Sequence, residues 1–237
     1  MEIIDSVNPN VIIIKNFLDN NQVEEVLSLL RNYSEDDWYL ESIEKRKFGG
    51  LEGRLLEADI NLWDGMTISL TKKEDIKKNF PDLPYDLLVE KENEVKKIVK
   101  RKFKDPLVLQ MSSLHRWRPG REQMPHIDYY DSSEEHDFEM LERYHLPKHQ
   151  LEEFEKSFNN KHYSALVYFN TDYVGGELYM PQWDWEIKPE PGMLIAFKGD
   201  ENHLHGVKMV EEGIRYTWAM FWTKLDWAIN NKNKRTS

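Results

Sequence analysis

His126, Asp128, His205 and Arg215 are the residues of this 237-residue chain whose types and spacing can do chemistry. They read as an H-x-D pair, then one distant His, then an Arg ten positions further on. Two imidazoles and a carboxylate make the 2-His-1-carboxylate facial set that holds non-haem Fe(II) and leaves three coordination positions open. The planar fork of an Arg beside such a centre matches the far carboxylate of an acid bound to the metal. The ligand set alone does not select iron. Mn, Co, Ni or Zn fit it too, and zinc hydrolases use similar ligands. An isolated H-x-D is a common chance pattern, and Arg215 is what lifts this one above it.

These residues need strands to position them. On a strand, alternate side chains share a face, so His126 and Asp128 are expected to point one way and Ile127 the other. Arg215 opens the strand RYTWAMFW. Thr217 and Ala219 share its face and are small, whereas Tyr216, Trp218, Met220 and Trp222 fill the opposite face. A cation beside two small side chains reads as an anion pocket. His203 is the rival of His205 as third ligand. Gly206 lets the backbone approach and Val207 returns to strand texture, which favours His205. His115, His136, His145, His149 and His162 read as surface or structural residues.

The rest of the chain supplies the frame. Residues 11–18 (VIIIKNFL) read as a buried strand, and Asp19 as the N-cap of a helix over 22–31. Residues 33–75 are mixed, with Gly49, Gly50 and Gly53 marking a loop and 54–63 a candidate strand. The spacing of Leu87, Leu88, Val95, Ile98 and Val99 predicts an amphipathic helix from about Pro84 to Phe103. From residue 107 the texture becomes β: LVLQMSSLHRW, SALVYFN, GGELYM, GMLIAF and RYTWAMFW, with Gly/Pro turns between. Residues 131–161 interrupt this run as an acidic, helix-like insertion. Ser133 is its expected first cap and Pro147 the start of a second helix carrying Leu151, Phe154 and Phe158. Lying directly after the H-x-D pair, the insertion is expected at the mouth of the site. Residues 226–237 read as a polar tail. The expected layout is one domain over 1–225: helical support over about 1–105, and a sandwich or jelly roll over about 106–224.

Bulk numbers narrow the classes. Cys is absent, which excludes disulfides, thiolate zinc sites and cysteine nucleophiles. The opening residues lack a basic stretch followed by an apolar one, and no apolar run approaches about 18 residues, the length of a spanning helix. The expectation is therefore a soluble, cytoplasmic protein with no membrane partner. The net charge of −11 argues against a nucleic-acid partner. The basic runs Lys96–Lys104 and Lys45–Lys47 read as solvated faces.

Much of the chain resembles the 2-oxoglutarate- and Fe(II)-dependent dioxygenases, in particular their prolyl 4-hydroxylase-like branch. The stretches that carry the resemblance are VIIIKNFLDNNQVEEVLSLL, LHRWRPGREQMPHIDYY, SALVYFN with GGELYM, and PGMLIAFKGDENHLHGVKMVEEGIRYTWAMFW. They cover residues 10–30 and 107–223. The resemblance implies a mainly β fold with supporting helices (α+β), whose core is a double-stranded β-helix, a distorted jelly roll. It implies His126, Asp128 and His205 as iron ligands, with Arg215 pairing with the distal carboxylate of 2-oxoglutarate. It implies a donor to that same carboxylate at Tyr168. It implies Fe(II), 2-oxoglutarate and O2 as reaction partners, with ascorbate as an accessory reductant. The chain departs at Trp117, where many members carry a Tyr before the Pro-Gly turn, and in the length of its 131–161 insertion.

The implied activity is hydroxylation of an unactivated C–H, with release of succinate and CO2. Three readings of the target stay open: a prolyl residue in a peptide or protein, a free amino acid or other small molecule, and a metal- and 2-oxoglutarate-binding sensor domain without turnover. A peptide groove would be open and aromatic; Trp117, Tyr129, Tyr130, Trp183 and Trp185 are its candidate lining, with core and loop packing the commoner place for such residues. The acidic insertion favours a basic partner.

Overall fold

The structure is a computed structural model, and it describes residues 2–4, 10–38, 66–131, 135–149, 151 and 160–234. The candidate strand at 54–63, the glycines at 49–53, Lys45–Lys47, Ser133, Phe154 and Phe158 lie outside the described residues.

Apolar β-rich segments pair into two antiparallel sheets. The larger contains β1 (Glu2–Ile4), β2 (Ile12–Lys15), β3 (Thr67–Ser69), β4 (Leu107–Trp117), β6 (Tyr163–Tyr168), β10 (Leu194–Lys198) and β13 (Arg215–Lys224). Its order is β1-β2-β10-β6-β13-β4-β3. The smaller contains β5 (Gln123–His126), β8 (Leu178–Met180), β9 (Trp185–Ile187) and β11 (His205–Val207), in the order β5-β11-β8-β9. A separate pair joins β7 (Tyr173–Gly175) to β12 (Val210–Gly213).

Strand alternation sends one face of the large sheet to the helices and the other to the small sheet. Ile12, Ile14, Val167, Trp218, Met220 and Trp222 pack outward against α1 (Asn20–Asn32), α2 (Lys73–Asn79) and α3 (Tyr85–Phe103). Val11, Ile13, Tyr168, Ile195 and Phe197 pack inward against Leu178 and Met180 of β8. The result is a jelly-roll core backed by helices, as the patterning predicts.

Local signals set most boundaries. Asp19 caps α1 through a capping box with Gln22, whose backbone N donates to Asp19 Oδ1 at 2.9 Å. Lys104 ends α3 in the left-handed region at φ 68°. Three expectations need correction. The strand at 11–18 is only four residues long, because Phe17 and Leu18 turn into the helix-facing core. The insertion's first helix, α4 (Phe138–Arg143), is capped by Asp137, whose carboxylate accepts from the Met140 N–H at 2.9 Å. The polar tail is instead helical as far as α5 (Leu225–Lys234) extends. No helix among the described residues is long and apolar enough to cross a membrane.

Candidate metal centre and anion cavity

The triad forms where the two sheets face each other. β5 and β11 pair antiparallel with His126 opposite His205, so two imidazoles arrive side by side, ring centroids 4.3 Å apart. Asp128 does not share a strand with His126, since β5 ends at His126. A bend carries it instead. The Asp128 N–H donates to Gly199 O at 2.9 Å, and its carbonyl accepts from the Lys161 N–H at 3.0 Å. Gly199 is indispensable there: a Cβ would lie 2.1 Å from Lys161 O and 2.9 Å from Asp128 Cβ. Gly206 is likewise forced, because a Cβ would lie 2.7 Å from Gln123 O.

His126, Asp128 and His205 each offer a ligand atom, and these atoms lie within 4.8 Å of one another. His205 Nε2 is 3.4 Å from Asp128 Oδ2, and His126 Nε2 is 3.9 Å from Oδ1. Each Nδ1 faces a backbone carbonyl: Met124 O at 3.0 Å for His126 and His203 O at 2.9 Å for His205. An N–H on that side puts the Nε2 lone pair on the site, the arrangement that orients a metal-binding imidazole. Ser164 Oγ donates to Asp128 Oδ2 at 2.6 Å and fixes the carboxylate.

Protonation suits cation binding. Burial, and then the neighbouring His205, push His126 down to about 4, so its ring is neutral at pH 7. Burial alone would raise Asp128. The neighbouring His205 and the charge of Lys161 reverse this and hold the carboxyl well below the usual range. The donor set of two imidazoles and one carboxylate fits Fe(II). His203 is elsewhere: its Nδ1 bonds Asp200 and its ring meets Trp183 edge-on.

Arg215 lies at the other end of an inner cavity of about 320 Å³, which the triad also lines. It is 1 % exposed. Its guanidinium sits between two rings, 5.3 Å from Trp117 and 5.1 Å from Tyr168. Nη2 donates to Tyr168 Oη at 3.4 Å, and Nε has no hydrogen-bond partner. Among the described residues no carboxylate lies within ion-pair range of it. A buried cation without a carboxylate partner is costly unless an anion enters beside it. Burial raises the Tyr168 phenol, which stays protonated and can donate. Trp117 pairs with Arg215 across β4 and β13 and contributes a ring face to it.

An outer cavity of about 700 Å³ adjoins the first, sharing Trp117, Gln123, His126, Asp128 and Lys161. Leu146 and Leu151 of the insertion wall it. Of the candidate groove aromatics, four pack elsewhere. Tyr129 stacks on His162, Tyr130 packs with Ile127 and Leu141, and Trp183 and Trp185 pack on the inner core. Trp117 alone of the five lines the two cavities.

Four site residues were not read from the sequence. Lys161 stands 4.0 Å from Asp128 Oδ1 and 4.1 Å over the Phe221 ring. Ser164 and Gly199 hold Asp128. His115, read as surface or structural, lines the inner cavity. The strand SALVYFN, with Ser164 on the face opposite Ala165, was the only available signal. His162 is structural, its Nδ1 2.9 Å from Thr223 Oγ1.

Residues 109–223 match the family model of the 2OG-Fe(II) oxygenase superfamily. Over that stretch, a little under half of its length, the chain is similar to that superfamily. Prolyl 3-hydroxylase 2 of Homo sapiens is 36 % identical over a stretch that covers 28 % of this chain and 10 % of that protein. The chain therefore spans a small part of the curated relatives it matches. Among solved structures, a Trichoplax adhaerens prolyl hydroxylase in complex with a hypoxia-inducible-factor peptide aligns with a TM-score of 0.58 at 15 % identity, covering 94 % of this chain and 87 % of that one. A viral collagen prolyl hydroxylase from Paramecium Bursaria Chlorella virus-1 aligns with a TM-score of 0.53 at 15 % identity, covering 91 % and 96 %. At such identities these likenesses establish the fold.

Proposed function

We propose that the protein is an Fe(II)- and 2-oxoglutarate-dependent dioxygenase that hydroxylates an unactivated C–H, with a prolyl residue of a peptide or protein as its target. The observation that carries this reading is the buried, acid-free Arg215 facing a His126–Asp128–His205 set across one small cavity. His126, Asp128 and His205 would hold the metal. Arg215, helped by Tyr168, would take the distal carboxylate of 2-oxoglutarate. The bound iron would supply O2 activation coupled to decarboxylation of 2-oxoglutarate to succinate and CO2. The chain's own contribution is to fix the acid at one end, orient the ligands at the other, and exclude water between them. Ascorbate would serve as an accessory reductant.

A small molecule such as a free amino acid is the second reading. The walling of the outer cavity by Leu146 and Leu151, with Trp117 as its only aromatic lining among the described residues, favours it. The test is succinate release with Fe(II) and 2-oxoglutarate against separate pools of proline-containing peptides and metabolites. Mass spectrometry then looks for a gain of one oxygen. Hydroxylated peptide supports the first reading and a hydroxylated amino acid the second. Metal-replete protein that yields no succinate with either pool overturns both in favour of a sensor domain. His126→Ala and His205→Ala should each abolish stoichiometric Mn(II) binding, and full occupancy in either would remove the metal assignment.

A further inference from the structure

The inner cavity is lined by two cationic side chains, and the reading above gives a role to one. Arg215 takes the far end. Lys161 stands at the triad end and lines both the inner and the outer cavity. Its backbone is pinned to the metal centre. The Lys161 N–H donates to Asp128 O at 3.0 Å, and its carbonyl sits against Gly199, where a Cβ would lie 2.1 Å away. The ammonium lies 4.1 Å over the Phe221 ring. Asp128 Oδ1, the carboxylate oxygen in ion-pair range, is 4.0 Å from it, beyond hydrogen-bond distance. Ser164 already donates to the other oxygen, Oδ2. Among the described residues no side-chain hydrogen bond uses the three donors of this ammonium. The outer cavity beside it is walled by Met66, Ile127, Leu146 and Leu151, with Glu122 also on its lining.

We propose that Lys161 anchors the carboxylate of the substrate, which makes the target a free amino acid with an apolar side chain. This deepens the small-molecule reading and rests on the metal and co-substrate reading above. One anion, the co-substrate, is taken at the Arg215 end. The second cation, at the junction of the cavities, has its open side toward the outer one, where a second anion can enter. A carboxylate bonded to Nζ at about 2.8 Å is then held within one small molecule's length of the triad. The C–H presented to the metal therefore lies on a carbon near that carboxylate. The apolar walls take the side chain, and their exclusion of water strengthens the charged pair. Glu122 offers the substrate's ammonium a carboxylate on the wall of the same cavity. An internal residue of a peptide has neither charge to offer.

The test compares acids with their amides. Protein with Fe(II) and 2-oxoglutarate is given a pool of free L-amino acids, then the same pool as carboxamides, and succinate is measured. The acid pool should raise succinate release about tenfold or more over the amide pool, the worth of one hydrogen bond between charged groups. Calorimetric titration of Mn(II)- and 2-oxoglutarate-loaded protein with the most active acid and with its amide should show the same preference without turnover. Lys161→Met should erase the preference, and Lys161→Arg, which keeps the charge, should retain most of it. Removing a cation beside the triad should not weaken Mn(II) binding. Equal stimulation by both pools, stimulation by neither, or an acid preference that survives in Lys161→Met overturns the proposal. So does Lys161→Met that loses Mn(II), which would make the residue a support for Asp128. Lys161→Met that holds Mn(II) but binds 2-oxoglutarate tenfold more weakly also overturns it, since the ammonium would then belong to the co-substrate. Wild type that takes Mn(II) but no 2-oxoglutarate sinks the co-substrate reading itself.

Discussion

The two faces of β13 are one strand built for two purposes. Its outward face, Tyr216, Trp218, Met220 and Trp222, is bulky, buried and packed on the helices. Its inward face, Arg215, Thr217, Ala219 and Phe221, lines a cavity. The outward face contributes stability through apolar burial. The inward face leaves space and a buried cation, both of which cost stability unless a ligand enters. Fold and function are thus separated by strand alternation, with no separate domain needed for either.

That contrast can be broken from either side. The largest effect should come from the outward face. Trp218→Ala removes a fully buried ring whose Nε1 donates to Ser112 Oγ at 3.0 Å, and should cost about 3–5 kcal/mol of stability. Chemical denaturation measures it, and a loss under about 1 kcal/mol would mean that this face is not the stabilising one.

The inward face should respond oppositely. Arg215→Met keeps the bulk and removes the uncompensated charge. Stability should hold or rise, while 2-oxoglutarate affinity in Mn(II)-loaded protein falls by about 1.5–3 kcal/mol, roughly ten- to a hundredfold. A variant that unfolds but, when folded, binds normally would place Arg215 in the frame and not in the site.

The smallest effect sharpens the boundary between frame and site. His162 is buried away from the cavity, and burial, followed by Lys224, lowers its ring from 6.5 to about 4. A base whose folded value is depressed is favoured neutral in the fold. Its contribution is present above about pH 6.5 and is lost as the pH falls toward 4, because the unfolded chain binds the proton first. It should account for about 1 kcal/mol of the stability lost between pH 6 and pH 5. His162→Gln should flatten the stability profile there and leave Mn(II) binding at pH 7 intact. An unchanged slope would show that the ring is not held neutral.

How much of this was legible depended on distance along the chain. His126, Asp128, His205 and Arg215 were readable because spacing and strand texture are local properties, and alternation divided β13 correctly. The helix at 85–103 and its charged face were readable for the same reason. Asp128 was assigned to the wrong element, since the bend that carries it is made by Gly199, seventy-one positions away. Tyr129, Tyr130, Trp183 and Trp185 take the core and loop packing that is commoner for aromatics, but sequence does not say which core each one joins.

The amino-acid sequence by itself determined the candidate ligand types, the guanidinium fork on an inward strand face, the jelly-roll patterning and the helical backing, because each follows from residue chemistry and a period of two or 3.6. Only the tertiary structure decided that Lys161, Ser164, Gly199 and His115 join the site. Those residues arrive through strand register and loop contacts between remote segments. Register is set by how whole faces pack, not by any residue's immediate neighbours.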